Sequence, residues 1–322
     1  MSQQLAVGID IGGTNTKFGI VDRRGNIISD GRMLTGAHPE VSMFIDELYE
    51  RLMELINAAG GMEHIKGIGV GAPNGNYYTG NIEYAPNLRW SGVIPLADLL
   101  TQKFGVPTRL TNDANAAAIG EMSYGAARGM KDIIMITLGT GVGSGIIANG
   151  QMIYGHDGFA GELGHCIVVP GGRLHPGTGM RGSLESYASA TGVTNTAIEF
   201  LTERTEESEL RKFAKEEINS KVIFDAAMAG DPLAQEVYAY TGKILGEALA
   251  NFVMFSSPEA IILFGGLTKA GDLIMKPVRE HMEKNLLPIF QNKVKLMFSE
   301  LRESDAAILG ASGLAWEIQD QN

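Results

Sequence analysis

The sequence predicts an α/β protein with two domains built on a duplicated core. Its 322 residues are enough for two domains that each bury a core of their own. Two segments, Leu5–Asp22 and Asp132–Gly150, share one pattern: an apolar β-branched strand, a turn of glycine and threonine, and a second apolar strand. In each copy the next residues continue as a further turn and a third strand.

Composition and charge exclude several classes of protein. The formal net charge of −11 argues against a nucleic-acid surface, because phosphate neutralisation needs clustered Lys and Arg. No basic leader precedes an apolar stretch at the N-terminus, and no apolar run reaches the roughly 18 to 20 residues of a membrane span. The single cysteine, Cys166, allows no disulfide framework within the chain, which suits a reducing cytosol. We therefore expect a cytoplasmic protein without nucleic-acid or membrane partners.

The two turns have the chemistry of a phosphate clamp. Neither matches the P-loop or the dinucleotide fingerprint in its spacing. One such turn alone would be read as an ordinary tight turn, but two at corresponding places favour a two-sided clamp. Small residues let backbone N–H groups approach a ligand closely. They are Gly12, Gly13, Thr14 and Asn15 in the first turn, and Gly139, Thr140 and Gly141 in the second.

The first repeat also carries charged residues beside its turn. Asp10 ends an apolar strand just before Gly12, where a buried carboxylate is costly without a partner. One candidate partner is a Mg²⁺ ion bridging to phosphates, since this ion takes one or two carboxylates and keeps several waters. The alternative is an aspartate bonded to its own turn. Lys17 is a candidate phosphate cation or, equally, a surface residue of the strand.

A cluster of polar residues opens the helix predicted from TNDANAAAIGE, which begins at Thr111. Asn112, Asp113 and Asn115 are all residue types that cap helices, because a side-chain oxygen accepts an otherwise unpaired backbone N–H. Three such side chains are more than one cap requires, and the helix behind them is nearly all alanine and glycine. The spacing therefore leaves room for a second role, in which a ligand comes close.

Two later segments carry further secondary-structure signals. The stretch AIILFGGLTKAGDLI, Ala260–Ile274, predicts a buried strand, a turn and the start of a helix. Gly265 and Gly266 would let the backbone lie against a flat ligand such as adenine, although a plain strand-to-helix turn explains them equally well. The charged stretch Thr202–Lys221 is predicted to be helical, with a solvated face.

A polar cluster near the middle of the chain suits a neutral polyol. Glu162 and His165 are flanked by glycines, and Glu185 follows a Gly-rich loop and opens a predicted helix. Such groups can pair with adjacent hydroxyls. The alternative for Glu185 is an acidic residue that the helix dipole favours in the first turn. The alternative for His165 is a structural histidine with all its hydrogen bonds satisfied. Structural zinc is disfavoured although His165, Cys166 and His175 are close in sequence. Adjacent His and Cys rarely ligate one metal, and C-x-x-C pairs are lacking.

Together these motifs resemble the ROK family (repressors, open reading frames and sugar kinases) of the actin-like ATPase superfamily. GIDIGGTNTKFGIVD and LGTGVGSGI are similar to its two phosphate motifs, and TNDANAAAIGE is similar to its catalytic-aspartate motif. GELGH and GSLES are similar to its E-x-G-H and G-C-x-E sugar motifs, and GVGAPNGNYYTGNIEYAPNLRW to a segment with further sugar contacts. The resemblance covers nearly the whole chain. It implies a two-lobed actin-like ATPase (ribonuclease H-like) fold, with duplicated mixed-sheet domains and a central cleft.

The resemblance also implies a role for each motif. Asp113 would be the catalytic base facing the 6-hydroxyl of a sugar, and Asn112 would hold a neighbouring hydroxyl. Asp10 would act on magnesium, through water. The other implied contacts are Asn87, Glu162, His165 and Glu185 for the sugar, the Gly12–Thr14 and Gly139–Gly141 turns for the phosphates, and Gly265 and Gly266 for adenosine.

The sequence departs from the family pattern in two places. The family usually has three zinc cysteines before its last sugar glutamate, in the pattern C-x-C-G-x-x-G-C-x-E. The corresponding stretch here, HPGTGMRGSLE, lacks them: Ser183 stands where the last would be, His175 falls near the first, and the loop is one residue longer. This puts zinc in doubt but spares His165 and Glu185 as sugar contacts. The second departure is APNG at Ala72–Gly75, where a Pro-Gly pair is commoner, and it would alter one face of the sugar pocket.

The resemblance predicts an ATP-dependent hexose kinase, with glucose as the first choice of sugar. The alternatives are a kinase for N-acetylmannosamine, N-acetylglucosamine or fructose, and a non-catalytic sugar-responsive regulator. Family repressors carry a winged helix before the first phosphate motif. Only a few residues precede that motif here, and the acidic charge also disfavours a regulator. Polyphosphate stays open as an alternative phosphate donor.

The predicted small lobe comprises residues 1–111 and 303–322, and the predicted larger lobe comprises residues 112–302. The final helical stretch, DAAILGASGLAWEIQ, has the small-residue spacing to pack back onto the N-terminal sheet. The predicted partners are a hexose, ATP with Mg²⁺, and further copies of the chain in a homodimer or higher homo-oligomer.

Overall fold

The computed structural model describes residues 4–302 and 305–318. Within them the chain forms two compact units. The first comprises the described residues within 1–131, 145–161 and 299–322, and the second comprises Asp132–Ser144 and Glu162–Phe298. The lobe boundaries expected from the sequence stay a prediction. Among the helices of the described residues, none combines the length and the apolar character that crossing a bilayer requires.

The strands of the described residues are short and belong to two five-stranded sheets and one small hairpin. They are β1 (Leu5–Ile11), β2 (Asn15–Asp22), β3 (Ile27–Leu34), β4 (Ile65–Ala72), β5 (Ile82–Glu83), β6 (Val93–Ile94), β7 (Thr108–Asn112), β8 (Ile133–Leu138), β9 (Val142–Ala148), β10 (Gln151–Met152), β11 (Ala260–Phe264) and β12 (Lys295–Phe298).

The α-helices of the described residues vary from one turn to seven turns in length. They are α1 (Val41–Ala58), α2 (Leu96–Phe104), α3 (Asp113–Tyr124), α4 (Glu185–Ala188), α5 (Ala190–Glu203), α6 (Ser220–Met228), α7 (Pro232–Ser256), α8 (Asp272–Lys284) and α9 (Ala306–Trp316). Short 3-10 helices precede β4 and α8 and span Leu163–His165 and Glu209–Lys212.

The first sheet has the strand order β3-β2-β1-β4-β7. β2 pairs antiparallel with both β1 and β3, whereas β4 pairs parallel with both β1 and β7. The register places Asp10 opposite Lys17 in the hairpin, and it pairs Gly71 of β4 with both Asp10 and Thr111. Because the carboxyl ends of parallel strands meet at one edge of a sheet, the residues after β1, β4 and β7 become neighbours.

The second sheet has the order β10-β9-β8-β11-β12, which repeats the first sheet strand for strand. β10 pairs antiparallel with β9, and β11 pairs parallel with β8 and β12. β8 and β11 are almost continuously buried apolar runs, as is typical of parallel strands covered on both faces. The prediction of two copies, each opening with a hairpin, is therefore confirmed.

Helices of the first unit pack on its sheet in two ways. α1 buries Phe44, Leu48, Leu52 and Ile56, whose four-residue spacing forms one apolar stripe in the core. α9 instead brings its backbone directly onto the strands, because a Cβ at Gly8 would collide with the Ile308 carbonyl. The prediction that the last helix packs back onto the N-terminal sheet is confirmed by its contacts with β1 and β4.

Two helical predictions in the second unit are wrong in part. Within the charged stretch Thr202–Lys221, α5 ends at Glu203 and α6 begins only at Ser220, with a single 3-10 turn between them. The reason is that Arg211 binds the carbonyls of Leu201, Arg204 and Glu206 and so stabilises a non-helical path.

The helix predicted to open at Glu185 is also interrupted. Ser189 takes an extended conformation, with φ −89° and ψ 170°, and its side chain accepts a hydrogen bond from the N–H of Gly192. This cap ends α4 and begins α5, because a serine oxygen satisfies a free amide of the new first turn. Glu185 is therefore the first residue of a helix of one turn.

Candidate active site

Two aspartates lie at the carboxyl edge of the first sheet. Asp10 is near the end of β1, and Asp113 directly follows β7. The intervening β4 contributes Gly71, where a built Cβ would lie 3.6 Å from the Cα of Asp113 and 3.9 Å from Oδ1 of Asp10. Neighbouring strands are only about 4.8 Å apart. Because Gly71 has no side chain, β4 places no side chain between the two aspartates at this position. The strand order therefore brings together two carboxylates that are distant in sequence.

The environment of Asp10 favours its neutral form. Burial raises the pKa of Asp10 from 3.8 to about 6, and repulsion from Asp113 adds to the rise. The opposing effect of Lys17 lowers the pKa but is smaller. A nearby positive charge stabilises the ionised form of a buried carboxylate. Lys17 provides only part of that charge, so the position is suited to a bound cation.

The polar cluster at the start of α3 divides its tasks among its members. Asn112 is the cap: its Oδ1 accepts a hydrogen bond of 2.8 Å from the N–H of Ala114. Asn115 donates from Nδ2 to the Thr111 hydroxyl at 3.2 Å. Capping, which the sequence left open among three residues, is therefore confirmed for Asn112.

Asp113 is the first residue of α3 and has an exposed side chain, with Oδ1 2.8 Å from the N–H of Ala114. Although water reaches the carboxylate, the dense protein around it removes enough solvent to raise the pKa of Asp113 above its usual value. The group is thus both accessible and more basic than an ordinary aspartate.

The first glycine turn is closed by a hydrogen bond from the N–H of Gly12 to the carbonyl of Asn15, at 3.0 Å. Gly13, Thr14 and Asn15 are exposed. A Cβ at Gly13 would lie only 2.7 Å from the carbonyl oxygen of Asn87. The turn therefore lies directly against the segment to which the family resemblance gives sugar contacts, and Asn87 is exposed beside it.

The second glycine turn holds a predicted sugar ligand. Gly139 donates to the carbonyl of Gly141 at 3.0 Å, and the next amide, that of Val142, donates to Oε2 of Glu185 at 2.7 Å. A Cβ at Gly141 would collide with the same carboxylate oxygen. The turn predicted to bind phosphate and the glutamate predicted to bind sugar are therefore in direct contact in the second unit.

Glu162 directly precedes a short 3-10 turn, and His165 is the last residue of that turn. Nε2 of His165 is 3.9 Å from Oε2 of Glu162. Nδ1 of His165 is buried and has no hydrogen-bond partner among the described residues. His165 thus lacks the full set of bonds of a satisfied structural histidine, which was the alternative interpretation. Ser144 fixes the turn, because its hydroxyl accepts from the N–H of Leu163 at 3.1 Å.

The two glycines after β11 differ in whether the fold itself needs a glycine at that position. Gly265 has φ +105°, and a Cβ there would lie 2.5 Å from the carbonyl of Leu138. A Cβ at Gly266 would meet nothing within 4 Å. Packing and backbone conformation explain the first glycine, whereas the space beside the second is available to a ligand.

The sequence prediction lacks one contact to a predicted sugar ligand. Nε2 of His175 is 2.8 Å from Oε1 of Glu185, so this histidine holds a predicted sugar ligand. The available signal was that His175 falls where the family pattern has a cysteine, but its spacing from Glu185 did not show which way the ring points.

The residues at the family's zinc positions do not fit a zinc site. His175 is turned to Glu185, and the hydroxyl of Ser183 is 2.9 Å from that of Ser186. Throughout the part of the chain that the structure describes, groups of three or more His, Cys, Asp or Glu arranged to hold a metal are absent. The donors present here therefore do not form the sulfur-rich set that zinc prefers.

Comparison with known proteins agrees with these motifs. The ROK family model matches residues 6–318. A glucokinase of Halalkalibacterium halodurans is 36% identical over all of this chain and 97% of its own length. A glucokinase of Thermotoga maritima is 33% identical over 98% of this chain and 99% of its own length. The crystal structure of a ROK family glucokinase from Streptomyces griseus in complex with glucose and AMPPNP is 32% identical, with a TM-score of 0.79, and the match covers 97% of this chain and 99% of that one.

The duplicated sheets with a glycine turn in each copy define an actin-like ATPase fold, and ROK kinases share it. The chain belongs to the ROK family.

Proposed function

We propose that this protein is an ATP-dependent glucokinase, which transfers the terminal phosphoryl group of ATP to the 6-hydroxyl of glucose. The support is a match over the full chain to glucokinases, one of them solved with glucose and an ATP analogue. The observation that carries the proposal is the position of Asp113, an accessible carboxylate with a raised pKa at the sheet edge beside Asp10.

Asp113 is the general base of this proposal. The oxygen of the 6-hydroxyl forms a bond to the γ-phosphorus, the bond from that phosphorus to the bridging oxygen of ADP breaks, and the hydroxyl proton passes to the carboxylate of Asp113. In phosphoryl transfer the nucleophile loses its proton late, so positioning contributes most of the catalysis. A carboxylate with a raised pKa accepts that proton more readily than an ordinary aspartate.

The remaining polar residues bind the two substrates. Asn87, Asn112, Glu162, His165 and Glu185 would pair with sugar hydroxyls, because carboxylates and amides satisfy adjacent hydroxyl groups. The turns at Gly12–Asn15 and Gly139–Gly141 would donate N–H groups to phosphate oxygens, with Lys17 as a further cation. Gly266, with open space beside it, would lie with Gly265 along the adenosine.

Asp10 fits a magnesium site. Its carboxylate is partly buried beside a second carboxylate, and its raised pKa shows that the protein leaves its charge incompletely compensated. Oxygen donors of this kind are what Mg²⁺ takes, usually one or two per ion and with waters in the other positions. When bound, the ion would neutralise phosphate charge. Asp10 would hold the ion, and Lys17 of the paired strand would add positive charge near the phosphates.

Replacement of Asp113 by Asn tests the proposal. We expect kcat to fall about 1,000-fold or more, with glucose binding retained, because the base is lost and the shape is kept. ADP release would be followed with glucose, fructose, mannose, N-acetylglucosamine and N-acetylmannosamine, with ATP and with polyphosphate as donors. Glucose binding would be measured by calorimetry. Asp30→Asn, an exposed aspartate of β3, is the matched control and should retain full activity.

Two outcomes would contradict the proposal. A kcat for Asp113→Asn within tenfold of wild type would remove Asp113 from the role of base. A higher kcat/KM for another sugar than for glucose would replace the proposed substrate.

The proposed setting is the cytoplasm, and the proposed assembly is a homodimer or higher homo-oligomer. The support for the assembly is a set of exposed apolar side chains such as Phe255 and Ile289, which are 86% and 62% exposed. Light scattering at several protein concentrations would measure the assembly, and a mass of one chain throughout would contradict it.

A further inference from the structure

Both oxygens of the Glu185 carboxylate are held by the protein. Oε2 accepts the hydrogen bond from the N–H of Val142 at 2.7 Å, and Oε1 lies 2.8 Å from Nε2 of His175. The side chain is only 15% exposed. Each carboxylate oxygen can accept a further bond, so a carboxylate fixed in this way presents its remaining acceptor positions in one defined direction.

The tautomer of His175 is set by its own loop. The N–H of Thr178 donates to Nδ1 of His175 at 3.2 Å, and the Thr178 hydroxyl lies 3.0 Å from the same nitrogen. The Thr178 amide hydrogen is shared between Nδ1 and the His175 carbonyl, which is 3.3 Å from the amide nitrogen. A backbone amide can only donate, so a hydrogen directed at Nδ1 makes that nitrogen an acceptor and places the ring proton on Nε2. That proton points to Oε1 of Glu185, so His175 donates to the glutamate.

The loop that carries His175 closes through its own backbone. The N–H of His175 donates to the carbonyl of Met180 at 2.8 Å, and the N–H of Gly179 donates back to the carbonyl of His175 at 2.8 Å. Leu174 and Arg181 form an isolated β-bridge at its base. The loop is therefore ordered by hydrogen bonds at the place where the family pattern predicts cysteine–zinc bonds.

We propose that His175 is a positioning residue for sugar binding, which orients the Glu185 carboxylate through a hydrogen bond from Nε2 and makes a zinc ion unnecessary in this loop. This inference rests on the proposed function, because it takes Glu185 to be a sugar ligand. His175 acts through Glu185 and touches neither reacting atom. Its loss weakens sugar binding and leaves ATP binding unchanged.

Two substitutions separate the two ring nitrogens. In His175→Asn the side-chain oxygen can still accept from Thr178 near the position of Nδ1, but the shorter side chain cannot reach Glu185. In His175→Gln the amide nitrogen lies near the position of Nε2 and can still donate to Glu185. A purely structural role in closing the loop predicts that Asn is the better replacement, whereas the positioning role predicts that Gln is.

The measurement is steady-state kinetics on the purified full chain, with thermal unfolding of each variant. We expect His175→Asn to raise the KM for glucose about tenfold or more, because a hydrogen bond to a charged group is lost, with the KM for ATP within twofold. His175→Gln should stay within about threefold of wild type for both. Equal KM values for glucose in the Asn and Gln variants, or a loss that follows the melting temperature alone, would overturn the proposal.

Glu185→Gln and metal analysis complete the test. If Glu185→Gln leaves the KM for glucose unchanged, the role of Glu185 in the proposed function fails. If that variant binds glucose weakly but His175→Asn does not, only the positioning role fails. Metal analysis should find far less than one zinc per chain. One zinc per chain, with a raised KM for glucose after a zinc-selective chelator, would also overturn the inference.

Discussion

The two glycine turns share a backbone plan but differ in chemistry. Each follows a buried strand, and each is closed by a hydrogen bond from the N–H of its first glycine, Gly12 or Gly139. Two residues before that glycine the first copy has Asp10, and the second has Thr137. Thr137 uses its hydroxyl to accept from the N–H of Gly143 at 3.1 Å. The same place thus carries an incompletely compensated charge in one copy and an internal hydrogen bond in the other.

The strands after the two turns repeat this difference. Lys17 is opposite Asp10 in the hairpin register, whereas the corresponding Ser144 accepts from the N–H of Leu163, in the turn between Glu162 and His165. The turns therefore lie at corresponding places in the two copies, whereas their side chains differ. The first copy has the charges suited to phosphate and metal, and the second has a bond that fixes the turn carrying Glu162 and His165, which we propose to bind the sugar.

Among changes that compare the two copies, the largest effect is expected where they differ in charge. We predict that Asp10→Asn lowers kcat about 100- to 1,000-fold at saturating glucose and ATP, because the proposed magnesium ligand is lost. The dependence of the rate on Mg²⁺ concentration should weaken in parallel. Coupled ADP detection over a magnesium titration measures both quantities.

The matched change in the second copy is Thr137→Val, which keeps the shape and removes the hydroxyl. It should cost less than about tenfold in kcat, since only one neutral hydrogen bond within the turn is lost. Equal losses for the two variants would mean that the copies do not divide the chemistry as proposed.

The fold was largely predictable because its strongest signals are local. The β1–β2 and β8–β9 hairpins are apolar β-branched runs broken by glycine, so period and turn chemistry agree. The path of residues 202–221 was not predictable, because it depends on bonds between distant residues. Asp231 accepts from both the hydroxyl of Ser208 and the N–H of Glu209, and local helix propensity contains no information about that contact.

The candidate site was predictable in its residue types but not in its contacts. Asp10 and Asp113 could be singled out from their neighbours in sequence, but their proximity depends on the order β1-β4-β7. The bond from His175 to Glu185 depends on a ring orientation that the Thr178 amide sets. Motifs therefore predict which groups are present. Strand order, and the further hydrogen bonds that orient each side chain, decide what each group contacts.

The next predicted effect of Asp10→Asn is on stability, which should rise although the activity falls. The pKa of Asp10 is about 6 in the folded chain against 3.8 ordinarily, so the folded state binds the proton more tightly than the unfolded state. The ionised carboxylate therefore destabilises the fold, and the penalty grows as pH rises from about 4 to about 6. We predict that Asp10→Asn raises the free energy of unfolding by about 1 to 3 kcal/mol at pH 7.5 without magnesium. Urea unfolding with a chelator measures this gain.

The control for this gain is pH itself. At pH 4 most of the wild-type penalty is absent, so the gain in the variant should shrink towards zero. Added Mg²⁺ at pH 7.5 should stabilise wild type more than the variant. A gain of the same size at both pH values would show that ionisation of Asp10 is not its cause.

A smaller effect distinguishes the two turns as nucleotide contacts. A Cβ at Gly139 meets nothing within 4 Å, so we predict that Gly139→Ala keeps the melting temperature and raises the KM for ATP about tenfold. A Cβ at Gly13 lies 2.7 Å from the Asn87 carbonyl, so Gly13→Ala should raise the KM values for both ATP and glucose. Two-substrate kinetics separates the patterns, and an unchanged KM for ATP in Gly139→Ala would remove that turn from the phosphate site.

The smallest effect concerns Asn112, which caps α3 after the last strand of the first sheet. Asn112→Ala should lower the free energy of unfolding by about 1 kcal/mol, and Asn112→Ser should restore most of it, since serine also caps helices. If Asn112 also holds a sugar hydroxyl, serine is too short to replace that contact, and the KM for glucose should stay raised in both variants. Denaturant unfolding and glucose kinetics on the same preparations separate the two roles. A serine variant with normal stability and a normal KM would limit Asn112 to capping and leave Asp113 as the only functional side chain at the start of that helix.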